Sequence, residues 1–413
     1  MVKLPAAFTE ETRQLMGEER FERYLQSFEE EPPVSIRLNP NKRLEVRGKR
    51  LEVVDGERVP WCRHAYYLKQ RPNFTMDPLF HAGCYYVQEA ASMFLDEVLR
   101  QHLTSDISPL TSLDMCAAPG GKSTLLRAAL PEDCMLYSNE PIRNRANILL
   151  ENVTKWGYKN HLVTNNYPKD YRKAKMKFDL ILCDVPCSGE GMFRKDEATI
   201  REWSPQNVEK CWQLQREIVD DAWKCLNEGG LLIYSTCTFN TKENEENIRF
   251  FLETYDDMDI VPVDIKPEWN ITGSLLEGFD KPVYRFIPGI TRSEGLFLCV
   301  LRKRGKMPEG RSKKDCSHDL HQLTSDISHQ ASHFKVDLDY KSAIAYLRGE
   351  SLVLPEDTPR GIVEVCFMGY PLGQMKNIGS RANNLYPKEW RIRTTHIPND
   401  YEAILRYTEQ NTD

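Results

Sequence analysis

Between Thr111 and Arg304 the chain alternates short apolar runs with longer stretches of helical spacing, and this alternation constrains its fold more than any other feature. The runs are Ser112-Leu113-Asp114-Met115, Met135-Leu136-Tyr137-Ser138, Phe178 to Cys183, Gly230 to Tyr234 and Phe297 to Leu301. Each of the first four is bounded by a turn signal or by a helix with a polar face. That pattern predicts an α/β fold, a Rossmann-like doubly wound sheet. Ligands of such sheets bind beyond the carboxyl ends of the strands, so the residues just after each run are the candidates for chemistry.

The flanks read differently. Residues 1–85 form a small α+β module, with a helix expected over Thr9–Phe28 and short strand-like runs broken by Pro32-Pro33, Gly48 and Pro60. The apolar spacing of Ala91, Met93, Phe94, Leu95, Val98 and Leu99 predicts an amphipathic helix over Gln88–Leu103, at the start of a sheet domain spanning 86–305. Residues 306–334 turn polar and histidine-rich and read as a linker. Residues 335–413 read as a small β-rich domain, with a strand over Gly361–Phe367 and a basic turn over Lys376–Arg381. The hexapeptide Leu-Thr-Ser-Asp-Ile-Ser occurs at 103–108 and 323–328, without the matching flanks a repeat architecture needs.

A chain of 413 residues builds a large core without staples, and its 12 cysteines include no CxxC pair, so neither a disulfide framework nor a zinc ribbon is expected. No apolar stretch reaches the ~20 residues of a membrane span. The N-terminus lacks a signal-peptide core, which leads to a cytoplasmic expectation. A net charge of −6 argues against bulk electrostatic coating of nucleic acid but leaves room for a local basic groove. The clusters Arg302–Lys306 and Arg311–Lys314 read as solvated loops.

Four constellations follow the predicted strands. The first is Asp114-Met115-Cys116-Ala117-Ala118-Pro119-Gly120-Gly121-Lys122-Ser123, where paired glycines let the backbone pass close under a ligand and a helix start offers free N–H groups. It is no Walker A loop, which requires glycine where Cys116 stands, and the dinucleotide fingerprint is absent. A plain strand-to-helix turn is the alternative. The second is Glu140, placed about 20 residues beyond the glycines to accept both hydroxyls of a ribose. An exposed helix-start carboxylate before Pro141 fits the same residues. The third is Asp184-Val185-Pro186-Cys187-Ser188-Gly189-Glu190-Gly191, and the fourth is Tyr234-Ser235-Thr236-Cys237-Thr238. A lone cysteine is usually core, but thiols flanked by Pro, Ser and Thr at two strand ends can converge on one pocket.

In this order, DMCAAPGGKS, DVPCSGEGMFRKD, Trp203-Ser204-Pro205, GGLLIYSTCT and EGLFLCVLRK resemble the NOL1/NOP2/Sun RNA cytosine-5 methyltransferases, nearest the bacterial branch that modifies small-subunit ribosomal RNA. Ser35-Ile36-Arg37-Leu38-Asn39 is similar to that branch's N-terminal module, and Val363 to Trp390 to its PUA-like RNA-binding domain. The resemblance implies a methyltransferase sheet, S-adenosylmethionine as cofactor, RNA-binding modules at 1–85 and 335–413, and a monomer that acts on RNA, 16S rRNA or the small ribosomal subunit, without a membrane partner. It implies Cys237 as nucleophile, Cys187 as the thiol that assists product release, and Asp184 at the cytosine ring and cofactor edge. Cys116, Ala117, Ala118, Pro119, Gly120, Gly121, Lys122 and Glu140 would hold the cofactor.

Such chemistry needs this set. Carbon 5 of a pyrimidine becomes nucleophilic only after a thiolate adds to carbon 6, a hydrogen-bonding group must polarise the ring, and a base must then remove the carbon 5 proton. One departure stands out: where the family carries an acidic residue after the third strand, this chain reads Thr164-Asn165-Asn166, leaving Asn166 or Asn165 to meet the adenine through an amide oxygen. Two other classes remain open on the sequence: a non-catalytic RNA-binding assembly factor on the same fold, and an amino-methyltransferase, which needs no thiol.

Overall fold

A computed structural model describes residues 3–42, 45–46, 49–103, 110–306, 320–323, 334–394, 396–398 and 400–409. All but the first residue of each Leu-Thr-Ser-Asp-Ile-Ser copy, and the cluster Arg311–Lys314, lie outside these residues.

The central sheet has nine strands: β1 Thr111–Asp114, β2 Met135–Asn139, β3 His161–Thr164, β4 Phe178–Asp184, β5 Leu226–Thr236, β6 Met258–Ile260, β7 Tyr284–Phe286, β8 Leu296–Lys303 and β9 Gln322–Leu323. Their order is β6-β8-β5-β4-β1-β2-β3-β9, with β7 on β8. Strands β3, β2, β1, β4 and β5 run parallel, while β8 enters antiparallel to β5. The expected doubly wound fold class is the one observed, and the strand order reverses between β1 and β4, where a crevice opens. The connecting helices are α1 Gly121–Ala129, α2 Arg143–Trp156, α3 Pro168–Lys173, α4 Pro205–Cys225 and α5 Glu245–Thr254.

Period-2 alternation builds a core on each face of the sheet. Leu180 and Leu182 of β4, Leu231 and Ile233 of β5, and Leu298 and Val300 of β8 pack one way, against Leu125 and Leu126 of α1 and the helix Leu95–His102. Their neighbours Ile181, Cys183, Leu232, Tyr234, Phe297 and Cys299 pack the other way, against α3, α4 and α5.

Several boundaries differ from expectation. The helix expected over Thr9–Phe28 is two helices, Ala6–Met16 and Glu18–Gln26, broken at Gly17, whose φ of 75° suits glycine. The helix expected from Gln88 begins as a 3-10 turn at Ala91, because Glu89 turns its carboxylate back to accept the backbone N–H groups of Ala91 and Ser92. Within 306–334, Gln322–Leu323 adds the short edge strand β9. The basic run at Arg302 is solvated as expected but not all loop: Arg302 and Lys303 end β8, Lys303 donates to the Trp223 carbonyl, and the exposed Arg304 bonds Asp259 through two nitrogens.

The flanking modules share a core. Ile36, Leu38 and Tyr85 of the N-terminal sheet pack with Val363, Val365 and Met375 of the C-terminal sheet, and the strand Leu405–Glu409 pairs with Lys49–Val53. The N-terminal helices pack elsewhere, Phe8 and Tyr24 clustering with Phe193, Trp203 and Phe239 beside the two cysteine loops. No helix among the described residues is long and apolar enough to cross a membrane.

Candidate active site

Four of the five predicted runs, β1, β2, β4 and β5, end at the crevice edge of the sheet, whereas the fifth, β8, runs antiparallel to β5 and ends at the opposite edge. β1 ends at Asp114, and the chain turns through a cis Ala118-Pro119 bond to Gly120, whose φ of 117° excludes ordinary side chains. Helix α1 starts at Gly121, so the N–H groups of its first turn have no carbonyl within the helix to accept them. α2 grips the turn from outside: Arg145 donates to the Ala118 carbonyl at 3.1 Å and Asn152 to that of Pro119 at 2.8 Å. Asp114 is buried behind the turn with one oxygen accepting the Ser123 hydroxyl at 2.5 Å, and burial raises its pKa to about 7.

Glu140, just past β2, is 1% exposed. It accepts the Ile142 N–H at 2.9 Å and lies 3.3 Å from Arg145. The exposed carboxylate considered from the sequence is therefore not what folds. Ile142 beside it is an exposed apolar side chain at 55%, a feature the sequence reading passed over. After β3 the two asparagines diverge. Asn165 donates to the carbonyls of Glu140 and Pro141 at 2.7 and 2.9 Å. Asn166 exchanges two hydrogen bonds with the backbone of His321 and so anchors β9.

The two thiols do converge. Parallel register aligns Asp184 of β4 with Ser235 of β5, so the chains leaving these strands start side by side. Cys187 Sγ lies 3.1 Å from Cys237 Sγ and accepts the Cys237 backbone N–H at 3.3 Å. Both cysteines are half-buried. The hydrogen bond to Cys237 and burial push the Cys187 thiol well above its ordinary pKa, so it holds its proton. Asp184 accepts the Ser235 hydroxyl at 2.6 Å on one oxygen and the Lys122 ammonium at 2.8 Å on the other, so Lys122 ties the glycine turn to the thiol side. The Asp184 partner opposite raises the Lys122 pKa, although burial opposes it.

Two carboxyl groups organise the loops: Glu190, which the sequence placed in the third constellation without a role, and Glu243, which it did not single out. Glu190, 2% exposed, accepts the N–H groups of Phe239 and Asn240 at 2.7 and 2.9 Å, the Asn240 amide at 3.0 Å and the Trp203 indole at 3.0 Å. Glu243 accepts Ser188 N–H at 3.0 Å, Gln215 at 2.7 Å and Asn240 at 2.8 Å, and burial raises its pKa to about 7. Each joins one cysteine loop to the other. The Trp203-Ser204-Pro205 motif thereby gains a reason: Trp203 meets Glu190, Ser204 caps α4 and Pro205 opens it. Nothing in the local sequence distinguishes Glu190 and Glu243 from solvated carboxylates.

Residues 4–90 match the N-terminal domain of 16S rRNA methyltransferase RsmF, 107–302 the family of 16S rRNA methyltransferase RsmB/F, and 333–392 the methyltransferase RsmF PUA domain. Ribosomal RNA small subunit methyltransferase F of Serratia proteamaculans is 32% identical over 319 residues, 74% of this chain and 65% of that protein's length. A methyltransferase homolog protein from Pyrococcus horikoshii is 27% identical with a TM-score of 0.58, covering 72% of this chain and 94% of that one. NSun6 from Pyrococcus horikoshii, solved with SFG, gives a TM-score of 0.57 over 73% of this chain and 99% of its own; at 21% identity it speaks to the fold alone. With three successive domain matches laid over a sheet whose strand ends carry both cysteine motifs, the chain belongs to the RsmB/F methyltransferase family, in the three-domain arrangement of RsmF.

Proposed function

We propose that the chain transfers a methyl group from S-adenosylmethionine to carbon 5 of a cytosine in RNA, with 16S rRNA or the small ribosomal subunit as substrate. The observation that carries this reading is the pair of thiols 3.1 Å apart, one holding its proton, beside an aspartate. A methyl transfer to nitrogen or oxygen has no use for two such sulfurs. We take the division of labour in the same way. Cys237, having lost its thiol proton, adds to carbon 6: the C–S bond forms as the C5–C6 double bond opens and its electrons pass to the ring. Asp184 hydrogen-bonds the polarised ring edge. After carbon 5 has gained the methyl group and lost its proton to a nearby base, the C–S bond breaks and the protonated Cys187 thiol donates to the departing Cys237 sulfur.

The residues present suit the cofactor. The turn Cys116–Lys122 would offer helix-start N–H groups to a carboxylate, Glu140 would take the ribose, and the exposed Ile142 two residues on would meet an adenine face. When bound, the cofactor supplies the electrophilic methyl group. Asn166 serves this reading by anchoring the sheet edge, while Asn165 borders the Glu140 turn. The domain division 1–85, 86–305, 306–334 and 335–413, RNA contact through the outer modules, and a cytoplasmic monomer belong to the same proposal.

The test is a Cys187→Ala variant incubated with S-adenosylmethionine and cellular RNA or assembled subunits. A protein–RNA adduct surviving denaturing electrophoresis is expected, absent in Cys237→Ala. Methylation that persists in Cys237→Ala would refute the nucleophile, and no methyl incorporation by the wild type would favour the assembly factor.

A further inference from the structure

Arg37 is 2% exposed, yet no carboxylate among the described residues bonds its guanidinium. The neighbouring Asp96 is already bonded by Arg63 at 2.8 Å. Burial lowers the Arg37 pKa only to about 10, so the side chain stays a cation. A buried cation without an opposite charge is costly, and its bonds show where that cost is spent. Nε donates to Gln88 Oε1 at 2.9 Å, and Nη2 donates to the Thr124 hydroxyl at 2.7 Å and the Gly121 carbonyl at 3.2 Å. The guanidinium carbon lies over the Trp156 ring, 4.6 Å from its centre. Thr124 passes the contact on, donating towards the carbonyls of Gly120 and Gly121 at 2.8 and 3.0 Å.

Every one of these acceptors lies on the back of the glycine turn or beside it. Tyr86 and Gln88 close the same side, 3.3 and 3.5 Å from where a Cβ on Gly121 would stand. With the Gly120 and Gly121 carbonyls held from behind, the opposite edges of those two peptide planes, the N–H groups of Gly121 and Lys122, face the crevice. We infer that Arg37 is a positioning residue for the cofactor, and that the N-terminal module is through it a structural wall of the cofactor site as well as a candidate RNA contact. This rests on the reading of Cys116–Lys122 as the cofactor turn.

Asn39 provides the contrast. It comes from the same segment and docks the same module, donating to the carbonyls of Gly83 and Trp156 at 2.8 and 2.9 Å, but touches nothing in the glycine turn. If Arg37 served docking alone, the two residues would behave alike.

The experiment is calorimetric titration of S-adenosylhomocysteine into full-length wild type, Arg37→Gln, Arg37→Lys and Asn39→Ala, with steady-state kinetics and thermal melting of each. Arg37→Gln is expected to weaken binding about 10-fold or more and to raise KM for S-adenosylmethionine equally, with KM for RNA within about twofold of wild type. Arg37→Lys keeps the charge but lacks the fork, so it should recover part of the affinity. Should Arg37→Gln fail to fold, the lysine variant carries the comparison. Asn39→Ala should lower the melting temperature and leave affinity unchanged. Equal affinity in wild type and both Arg37 variants, or parallel weakening in Asn39→Ala, would overturn the inference. A wild type that methylates RNA but whose Arg37 variants change only KM for RNA would overturn it while sparing the functional reading. A wild type that binds no S-adenosylhomocysteine would overturn both.

Discussion

Glu190 offers the sharpest quantitative test of how the thiol site is held. Its two oxygens receive four N–H donors, two on each, and the donors on Oε2 are the backbone groups of Phe239 and Asn240, directly beyond Cys237. Glu190→Gln keeps the shape but turns one oxygen into an NH2 group that faces two donors. Two buried N–H groups then lose their acceptor, at about 1–3 kcal/mol each, or about 2–6 kcal/mol together. At about 2–4 °C per kcal/mol for a domain of this size, melting should shift down by about 4–24 °C. The loop carrying Cys237 would also lose its fixed position, and a displacement of about 1 Å costs on the order of 100-fold in rate. Differential scanning calorimetry and the rate of methyl incorporation into RNA measure the two effects. A variant that melts within about 1 °C of wild type and keeps its rate would refute the claim that this carboxyl group clamps the loops.

Further outcomes follow from the same geometry. Gly191→Ala would place a Cβ 2.7 Å from Gly295 Cα and 2.8 Å from the Cys237 carbonyl, both backbone atoms, so a loss of about 1–3 kcal/mol and of most activity is expected; an unchanged denaturation midpoint would contradict it. Asp114 titrates near 7 when folded, far above the ~3.9 of an unfolded aspartate. The folded state therefore binds that proton more tightly, and its stabilising contribution, full below about pH 4, is lost as pH rises towards 7. Asp114→Asn should flatten the fall in stability between about pH 4 and 7 by about 2–4 kcal/mol, read from chemical denaturation at both ends of that range. Glu140→Ala should raise KM for S-adenosylmethionine about 10-fold with KM for RNA unaltered; equal changes in both would point to a misfolded crevice instead.

Much of this protein is written locally in its sequence. The doubly wound sheet was legible because short, nearly continuous apolar runs such as Phe178–Cys183, buried on both faces, alternate with stretches of helical spacing, and Gly and Pro mark where the runs stop. The candidate residues were legible for the same reason: they stand at strand ends, and a parallel sheet gathers its strand ends along one edge. The roles of Cys237 and Cys187 came from the family likeness, since spacing along the chain does not distinguish the two sulfurs.

Tertiary structure decided what no local pattern encodes. The 3.1 Å between the thiols follows from the β4–β5 register together with the Glu190 and Glu243 bridges, and these join residues about 50 positions apart. Glu190 stood in its motif without a role and Glu243 was passed over, because a buried acid and a solvated one look the same in a string of letters; only the donors packed around them tell the two apart. Arg37 is the extreme case. Its partners Gly121 and Thr124 lie 84 and 87 residues away, on a different domain, and the contact exists because two separately encoded surfaces dock. Sequence alone thus determined which elements form and which residues reach their ends. The distances that make those residues a site depend on long-range packing, whose energy belongs to pairs of surfaces rather than to any segment.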